Sequence, residues 1–186
     1  MKRCGWVSDE QIYIDYHDKE WGRPIHDDQT LFEFLILEGM QAGLSWITVL
    51  KKRDNFRQSF DHFDPKKIAK YSDKKIEKLM QNAGIIRNRL KINSTITNAQ
   101  AYIKLLETET SLSDYLWQFV DGKPIVNRWK ILQQVPAKTA LSDQLSKDLK
   151  KRGFKFVGST ICYAFMQAVG MVNDHTTDCW CWKECA

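Results

Sequence analysis

An all-α fold in a single domain is what this sequence predicts, on three observations. Apolar residues recur at spacings of three and four between recognisable helix caps and stops. Convincing alternating strands are absent. The chain has 186 residues, 43% hydrophobic and 12% aromatic, with no Pro- or Ser-rich linker and no solenoid-length repeat, so one compact unit with a substantial core is expected. That composition excludes a disordered or collagen-like chain. No apolar run approaches the ~18 residues of a membrane span. The opening Met1-Lys2-Arg3-Cys4-Gly5-Trp6 lacks the apolar stretch of a signal peptide. A soluble, cytoplasmic monomer without membrane contact is expected.

The helices follow in order. Thr30-Leu31-Phe32-Glu33 fits a capping box ahead of an apolar run that ends near Gly39 and Gly43. A second helix begins at Ser45-Trp46 and runs toward Arg57. Asp64-Pro65 is an N-cap followed by proline at the first helical position. Ser72 caps a short helix, with Gly84 just past its end. Between Lys91 and Leu106, Ile92, Ile96, Ala99, Ile103 and Leu106 form one apolar face. Asp114 to Val120 fits another short helix, and Gly122 and Pro124 open an irregular stretch through about Pro136. Ser142 caps a polar helix ending in Lys150-Lys151-Arg152 and Gly153, and an apolar helix from Thr160 to Val169 is stopped by Gly170.

The formal net charge is +5, from 28 Lys and Arg against 23 Asp and Glu. Two basic blocks, Lys51-Lys52-Arg53 and Lys150-Lys151-Arg152, fit solvated helix ends slightly better than a nucleic-acid surface. The five cysteines are Cys4, Cys162, Cys179, Cys181 and Cys185. An odd count without a secretory signal argues against a disulfide framework. Four of the five lie near the termini, beside His17 and His175. Two thiolates and two imidazoles suit tetrahedral zinc. His175 and Cys179 have the spacing of a one-turn clip, whereas Cys4 and His17 are far apart and loop-like. On spacing alone Cys181 and Cys185 compete for the fourth position. Four protein ligands would make the metal structural, pinning the chain ends together.

Glu38 is the most informative single residue. It shares a helix face with Leu31, Phe34 and Leu35, at i, i+3, i+4 and i+7. A carboxylate on an apolar face must find partners, neutralise or line a pocket. The segment that follows, Gly39 to Trp46, has two glycines that allow close approach or positive φ, and Gln41 and Leu44 at a loop tip. Tyr13, Tyr16, Trp21 and Trp46 supply aromatic walls, while Trp6, Trp117, Trp129 and Phe165 need no function beyond the core. Together these describe a pocket for a flat, electron-poor ligand. The stretch from Leu79 to Arg89 reads as a tight helical hairpin at Gly84, whose outward amides, with Arg87 and Arg89, would hold a phosphate.

Arg3-Cys4-Gly5-Trp6, Tyr16-His17-Asp18, Glu20-Trp21-Gly22, Leu37-Glu38-Gly39 and Gln41-Ala42-Gly43-Leu44-Ser45-Trp46 resemble the motifs of the 3-methyladenine DNA glycosylase I family. Lys151 to Gly158 and Asn173-Asp174-His175 match it as well. The resemblance covers essentially the whole chain. It implies a helix-hairpin-helix DNA glycosylase-like fold in one domain, 1–186. A helical core of about 27–140 would contain the hairpin near 79–92. The terminal segments 1–26 and 141–186 would form a lobe stapled by one structural zinc ion. The implied zinc ligands are Cys4, His17, His175 and Cys179. The resemblance makes Glu38 the residue contacting the target base, with Tyr16 holding it, Trp46 stacked on it and Tyr13 near the pocket. Gln41, Gly43 and Leu44 would sit on the loop that fills the gap left in the duplex. The implied partners are double-stranded DNA containing alkylated adenine, and the 3-methyladenine base itself. Two further points bear on the chemistry. No acid occurs between Arg89 and Glu107, where many helix-hairpin-helix glycosylases carry a catalytic Asp, and its absence is what the resemblance to this family implies. Ala164 stands where the family often has serine.

Alkylation at N3 makes adenine cationic, and its glycosidic bond weak, because the base departs neutral. Monofunctional hydrolysis is therefore expected, with selectivity from an ionised Glu38 and from cation–π attraction to Trp46. Two other classes compete: a non-enzymatic zinc-stapled helical DNA-binding module, and a lyase using Lys51 or Lys52 as nucleophile.

Overall fold

The computed structural model describes residues 1–185. Among them the helices are α1 (Gln11–Lys19), α2 (Asp28–Gln41), α3 (Trp46–Leu50), α4 (Arg53–Ser59), α5 (Pro65–Ile68), α6 (Asp73–Met80), α7 (Arg89–Leu105), α8 (Leu112–Trp117), α9 (Ala140–Lys151), α10 (Ser159–Ala168) and α11 (Cys181–Glu184). α2 is the axis of the fold. Every residue from Leu31 to Met40 is buried, which a helix tolerates only when neighbours cover all its faces. α3, α7, α8 and α10 pack against it, and α9 packs on α10. The main core includes Leu31, Phe32 and Leu35 of α2, Ile92 of α7, Leu145 and Leu149 of α9 and Phe165 of α10. It therefore runs through the boundary expected near 140. A separate small cluster joins Cys4, Cys179, Cys181 and Cys185.

Asp64 and Ser72 cap α5 and α6 as expected, and Ser45 occupies the N-cap position of α3. Other starts move. Asp27, not Thr30, caps α2, its carboxylate accepting from the Thr30 amide at 2.8 Å. Thr139, not Ser142, caps α9, and Ser142 closes the reciprocal half of that capping box. The helix expected from Ser45 to Arg57 breaks at Lys51-Lys52 into α3 and α4. The apolar face of α7 is also displaced: Ile92 and Ala99 are buried, but Ile103 and Leu106 are exposed, and Tyr102 and Leu105 turn inward instead. The irregular stretch after Gly122 is not wholly without strand. Ile125–Val126 pairs in parallel with Val172–Asn173, Ile125 opposite Val172. α1 is a helix that caps and stops did not reveal, because Glu10 supplies no side-chain cap bond.

Candidate active site and Cys/His cluster

α1 sets the aromatic wall. Tyr13, Tyr16 and His17 stand at i, i+3 and i+4, so one turn of helix presents both phenols and an imidazole along one side. The wall faces the C-terminal end of α2 across a cavity of about 390 Å³. Tyr13, Tyr16, Trp21, Glu38, Gln41 and Trp46 all line it, so every residue expected in the base pocket is brought together. The Tyr16 and Trp46 rings lie 5.4 Å apart, and Trp46 is stacked at 18° on Phe34 behind it. Trp6, read as simple core from sequence, also lines the cavity, 5.0 Å from both Tyr13 and Trp21. Leu132, Val135 and Pro136 supply a further, apolar wall. Ala164 lines the cavity too, so a hydroxyl at that position would face it.

α2 buries two glutamates, and their difference marks the site. Glu33 is ion-paired with Arg57 at 2.7 Å. Glu38 is 4% exposed, and its Oε2 has no hydrogen-bond partner. An unpartnered buried carboxyl avoids the cost of charge by keeping its proton. Burial accordingly pushes Glu38 up to about 8. Burial alone therefore favours the protonated form of Glu38 near neutrality, and the ionised form expected from sequence needs a positive charge beside it. Burial likewise raises the Tyr16 and Tyr13 phenols, with Glu38 adding to it, so both hydroxyls keep their protons. Trp46 Nε1 is a second orphaned polar atom among the cavity residues. An unfilled acceptor, an orphaned donor and flat rings suit a planar cation with exocyclic hydrogen-bonding groups.

Glu38, Gln41 and Ala164 also border a second hollow of about 210 Å³ beneath Ala42, Gly43 and Leu44. The two glycines of this segment act differently. A Cβ on Gly39 would lie 3.2 Å from Phe156 Cβ, a close approach, whereas Gly43 has open space but a φ of +77°. Gly43 therefore makes the turn that presents Leu44, which is 42% exposed at the tip. The hairpin between α6 and α7 is less open than expected. The Gly84 amide donates to Asn82 Oδ1 at 2.8 Å, so it is not free for a phosphate, and Gly84 lies four residues beyond α6 without a positive φ. Arg87 is exposed and has no ion pair among the described residues, while Arg89 is held by Glu77 at 2.7 Å. The lyase reading loses its nucleophiles: Lys51 is exposed and paired with Glu10, Lys52 donates to the Ala83 carbonyl, and neither lines the cavity.

Behind the aromatic wall the two chain ends meet. The ligand atoms of Cys4, His17, His175 and Cys179 lie within 4.8 Å of one another, all on buried residues. Cys4 Sγ is 3.4 Å from His175 Nδ1. Cys179 Sγ is 3.4 Å from His17 Nε2 and 3.6 Å from His175 Nδ1. The other nitrogen of each ring is spoken for. His17 Nδ1 donates to Asp18 at 2.7 Å, itself bonded by Arg3, and His175 Nε2 donates to the Trp21 carbonyl at 3.1 Å. Each imidazole thus turns a lone pair toward the thiols. Cys181 Sγ approaches His17 only from the Nδ1 side, at 3.9 Å, and Cys185 is not in the cluster. His17 comes from a helix, not from the loop expected between it and Cys4.

Asp174 is the residue that sequence missed. It is 2% exposed and accepts four hydrogen bonds, from Asn127, Trp129, Tyr163 and Gln167, at 2.6–2.8 Å. It therefore ties the 122–136 stretch, which carries the apolar wall, to α10 and to the Cys/His segment. Trp129, read as core, is one of its donors. The signal was an acid beside a ligand-type histidine, but its donors lie up to 47 positions away.

Comparison with known proteins agrees with this geometry. The family model for methyladenine glycosylase matches residues 6–182. The chain is 56% identical over 179 residues to a DNA-3-methyladenine glycosylase of Haemophilus influenzae, covering 96% of this chain and 97% of that protein. It is 54% identical over 182 residues to DNA-3-methyladenine glycosylase 1 of Escherichia coli, covering 98% and 97%. A crystal structure of 3-methyladenine DNA glycosylase I superimposes with a TM-score of 0.95 at 54% identity, covering 97% of this chain and 99% of that one. The Staphylococcus aureus 3-methyladenine DNA glycosylase I, solved for the structural basis of 3-methyladenine recognition, gives 0.94 at 36% identity, covering 97% and 96%. On the whole-chain match and the shared fold, this chain belongs to the methyladenine glycosylase family.

Proposed function

We infer that this protein is a DNA-3-methyladenine glycosylase, a hydrolase that releases 3-methyladenine from alkylated DNA at the start of base-excision repair. The single observation that carries it is Glu38, an unpartnered carboxyl in an aromatic cavity on the axis of the fold. Such a group is stable as a neutral acid and becomes a carboxylate when a cation arrives beside it. Neutral adenine brings no charge to compensate the ionisation, so it gains little from the site. N3-methylated adenine does, and also gains about 2 kcal/mol over the face of Trp46. The damaged base leaves the stack at a cost of a few kcal/mol. The C1′–N9 bond then breaks, its electron pair neutralises the departing base, and water adds to C1′ with loss of a proton to solvent. No strong general acid is needed, because the positive base is already a good leaving group.

The residues divide by role. Glu38 accepts from the exocyclic amine and balances the charge. Tyr13, Tyr16, Trp21 and Trp46 hold the base, and Leu44, presented by Gly43 and flanked by Gln41, fills the space it leaves in double-stranded DNA. Arg87 on the hairpin near 79–92 neutralises a backbone phosphate, in a helix-hairpin-helix arrangement where its exposed guanidinium, unpaired among the described residues, carries the contact. One structural zinc ion held by Cys4, His17, His175 and Cys179 fits the cluster. With Zn–S of about 2.3 Å and Zn–N of about 2.0 Å, tetrahedral S···N edges are about 3.5 Å, against the 3.4–3.6 Å found. Its contribution is stability, on the order of 10 kcal/mol in small domains; the base chemistry belongs to the cavity residues. The protein acts as a monomer in the cytoplasm. No helix among the described residues is long and apolar enough to cross a membrane.

The test is chromatographic measurement of free 3-methyladenine released from a methylated duplex. Release by the wild type is expected, with loss in Glu38→Gln. Duplex binding without release would leave only a DNA-binding module, and undiminished release by Glu38→Gln would remove Glu38 from the mechanism.

A further inference from the structure

Lys91 is a buried lysine with no carboxylate partner among the described residues. Its Nζ donates to the carbonyls of Met40, at 2.8 Å, and Ala42, at 2.6 Å. These oxygens belong to the last turn of α2 and its C-cap, where helical carbonyls have no intrahelical donor. The same two residues open the loop that carries Gly43 and Leu44. The backbone of Lys91 lies at the other DNA-facing feature. It is the third residue of α7, and its amide is bonded by the N-cap Asn88, at the end of the hairpin that bears Arg87. One side chain thus spans from the start of the hairpin's second helix to the base of the Leu44 loop, across some fifty positions of sequence.

The geometry points to Lys91 as a positioning residue that holds the Leu44 loop at a set distance from the hairpin, so that a strand gripped by the hairpin meets the wedge at the nucleotide to be extruded. This rests on the glycosylase reading above. A cation with only carbonyl acceptors makes a firm brace, because two charge-assisted bonds fix the end of α2 and the exit of the loop together. The bonds go to backbone, so the brace is independent of the side chains at positions 40 and 42. Lys91 does not line the base cavity, so binding of the base and placing of the wedge are separable.

The experiment measures three affinities for the wild type, Lys91→Met and Lys91→Arg: undamaged duplex, the same duplex with one abasic site, and free 3-methyladenine. In Lys91→Met the preference for the abasic duplex should fall about tenfold or more. Affinities for undamaged duplex and free base should stay within about twofold. Lys91→Arg, which keeps charged donors, should restore most of the preference. Full abasic preference in Lys91→Met overturns the proposal. So does an equal fall in all three affinities, which would mark Lys91 as plain core support. Should Lys91→Met not fold, Lys91→Gln, which keeps an amide donor for one carbonyl, carries the same comparison with a smaller expected fall. Abasic preference needs no bond cleavage, so a wild type that releases no base refutes the glycosylase reading separately.

Discussion

Replacing Glu38 by Gln should stabilise the base-free protein in a pH-dependent way. The ordinary glutamate value is 4.5, and burial lifts Glu38 to about 8. Between these values the unfolded chain has released the proton while the folded chain still holds it. Stability is therefore fully present below about pH 4.5, falls as pH rises, and levels off above about pH 8. A difference of roughly 3.5 pH units corresponds to on the order of 5 kcal/mol. Glutamine has the same shape and no proton to hold, so the variant lacks this slope. The melting temperatures of wild type and Glu38→Gln should nearly coincide at pH 5. By pH 8 the variant should be the more stable, by on the order of 10 °C for a chain of this size. Paired scans between pH 5 and 9 measure it, and the titrations of the Cys/His cluster cancel in the difference. A difference that does not change with pH, or a wild type that gains on the variant toward pH 8, would refute the claim that Glu38 is buried without a counter-charge.

Three further outcomes are expected. Trp46→Leu removes the ring face from the cavity and should lower kcat/KM for 3-methyladenine release roughly 30-fold, from a cation–π loss of about 2 kcal/mol; parity with wild type in single-turnover release would remove Trp46 from base recognition. Purified protein should contain one zinc per chain by elemental analysis, and Cys179→Ser should lose it together with a large part of its stability, read as a fall in melting temperature. Retained zinc in that variant would assign the fourth ligand to Cys181. Arg87→Ala should weaken binding to all duplexes alike and lower the slope of log affinity against log salt by about one; an unaltered slope would place Arg87 off the phosphate backbone.

Legibility followed the range of the interaction. Asp64 and Ser72 were readable as caps because a cap bond reaches only two or three residues along the chain. Even so, Asp27 and Thr139 displaced Thr30 and Ser142, since each pair lies close enough in sequence to offer either start. α1 was missed: with no cap bond at Glu10, its sign was the Tyr13, Tyr16, His17 spacing, which is too short a pattern to stand out. The outward face of α7 was misassigned at Ile103 and Leu106 because the packing of its neighbours, not its own periodicity, chose which turn to cover. The sequence grouped Tyr13, Tyr16, Trp21, Glu38 and Trp46, which line one cavity, but not Trp6, Asp174 or Lys91, whose places rest on partners distant in the chain.

The sequence by itself determined the helical class, an acid on an apolar helix face, and a set of cysteines and histidines near the two termini, because these follow from side-chain chemistry and local spacing. Only the tertiary structure decided that Glu33 meets Arg57 while Glu38 meets nothing, that His17 and His175 turn their lone pairs toward Cys4 and Cys179, and that the Gly84 amide is already taken. Desolvation and hydrogen-bond pairing depend on which groups the fold brings alongside, and here those groups stand as far apart as Cys4 and His175.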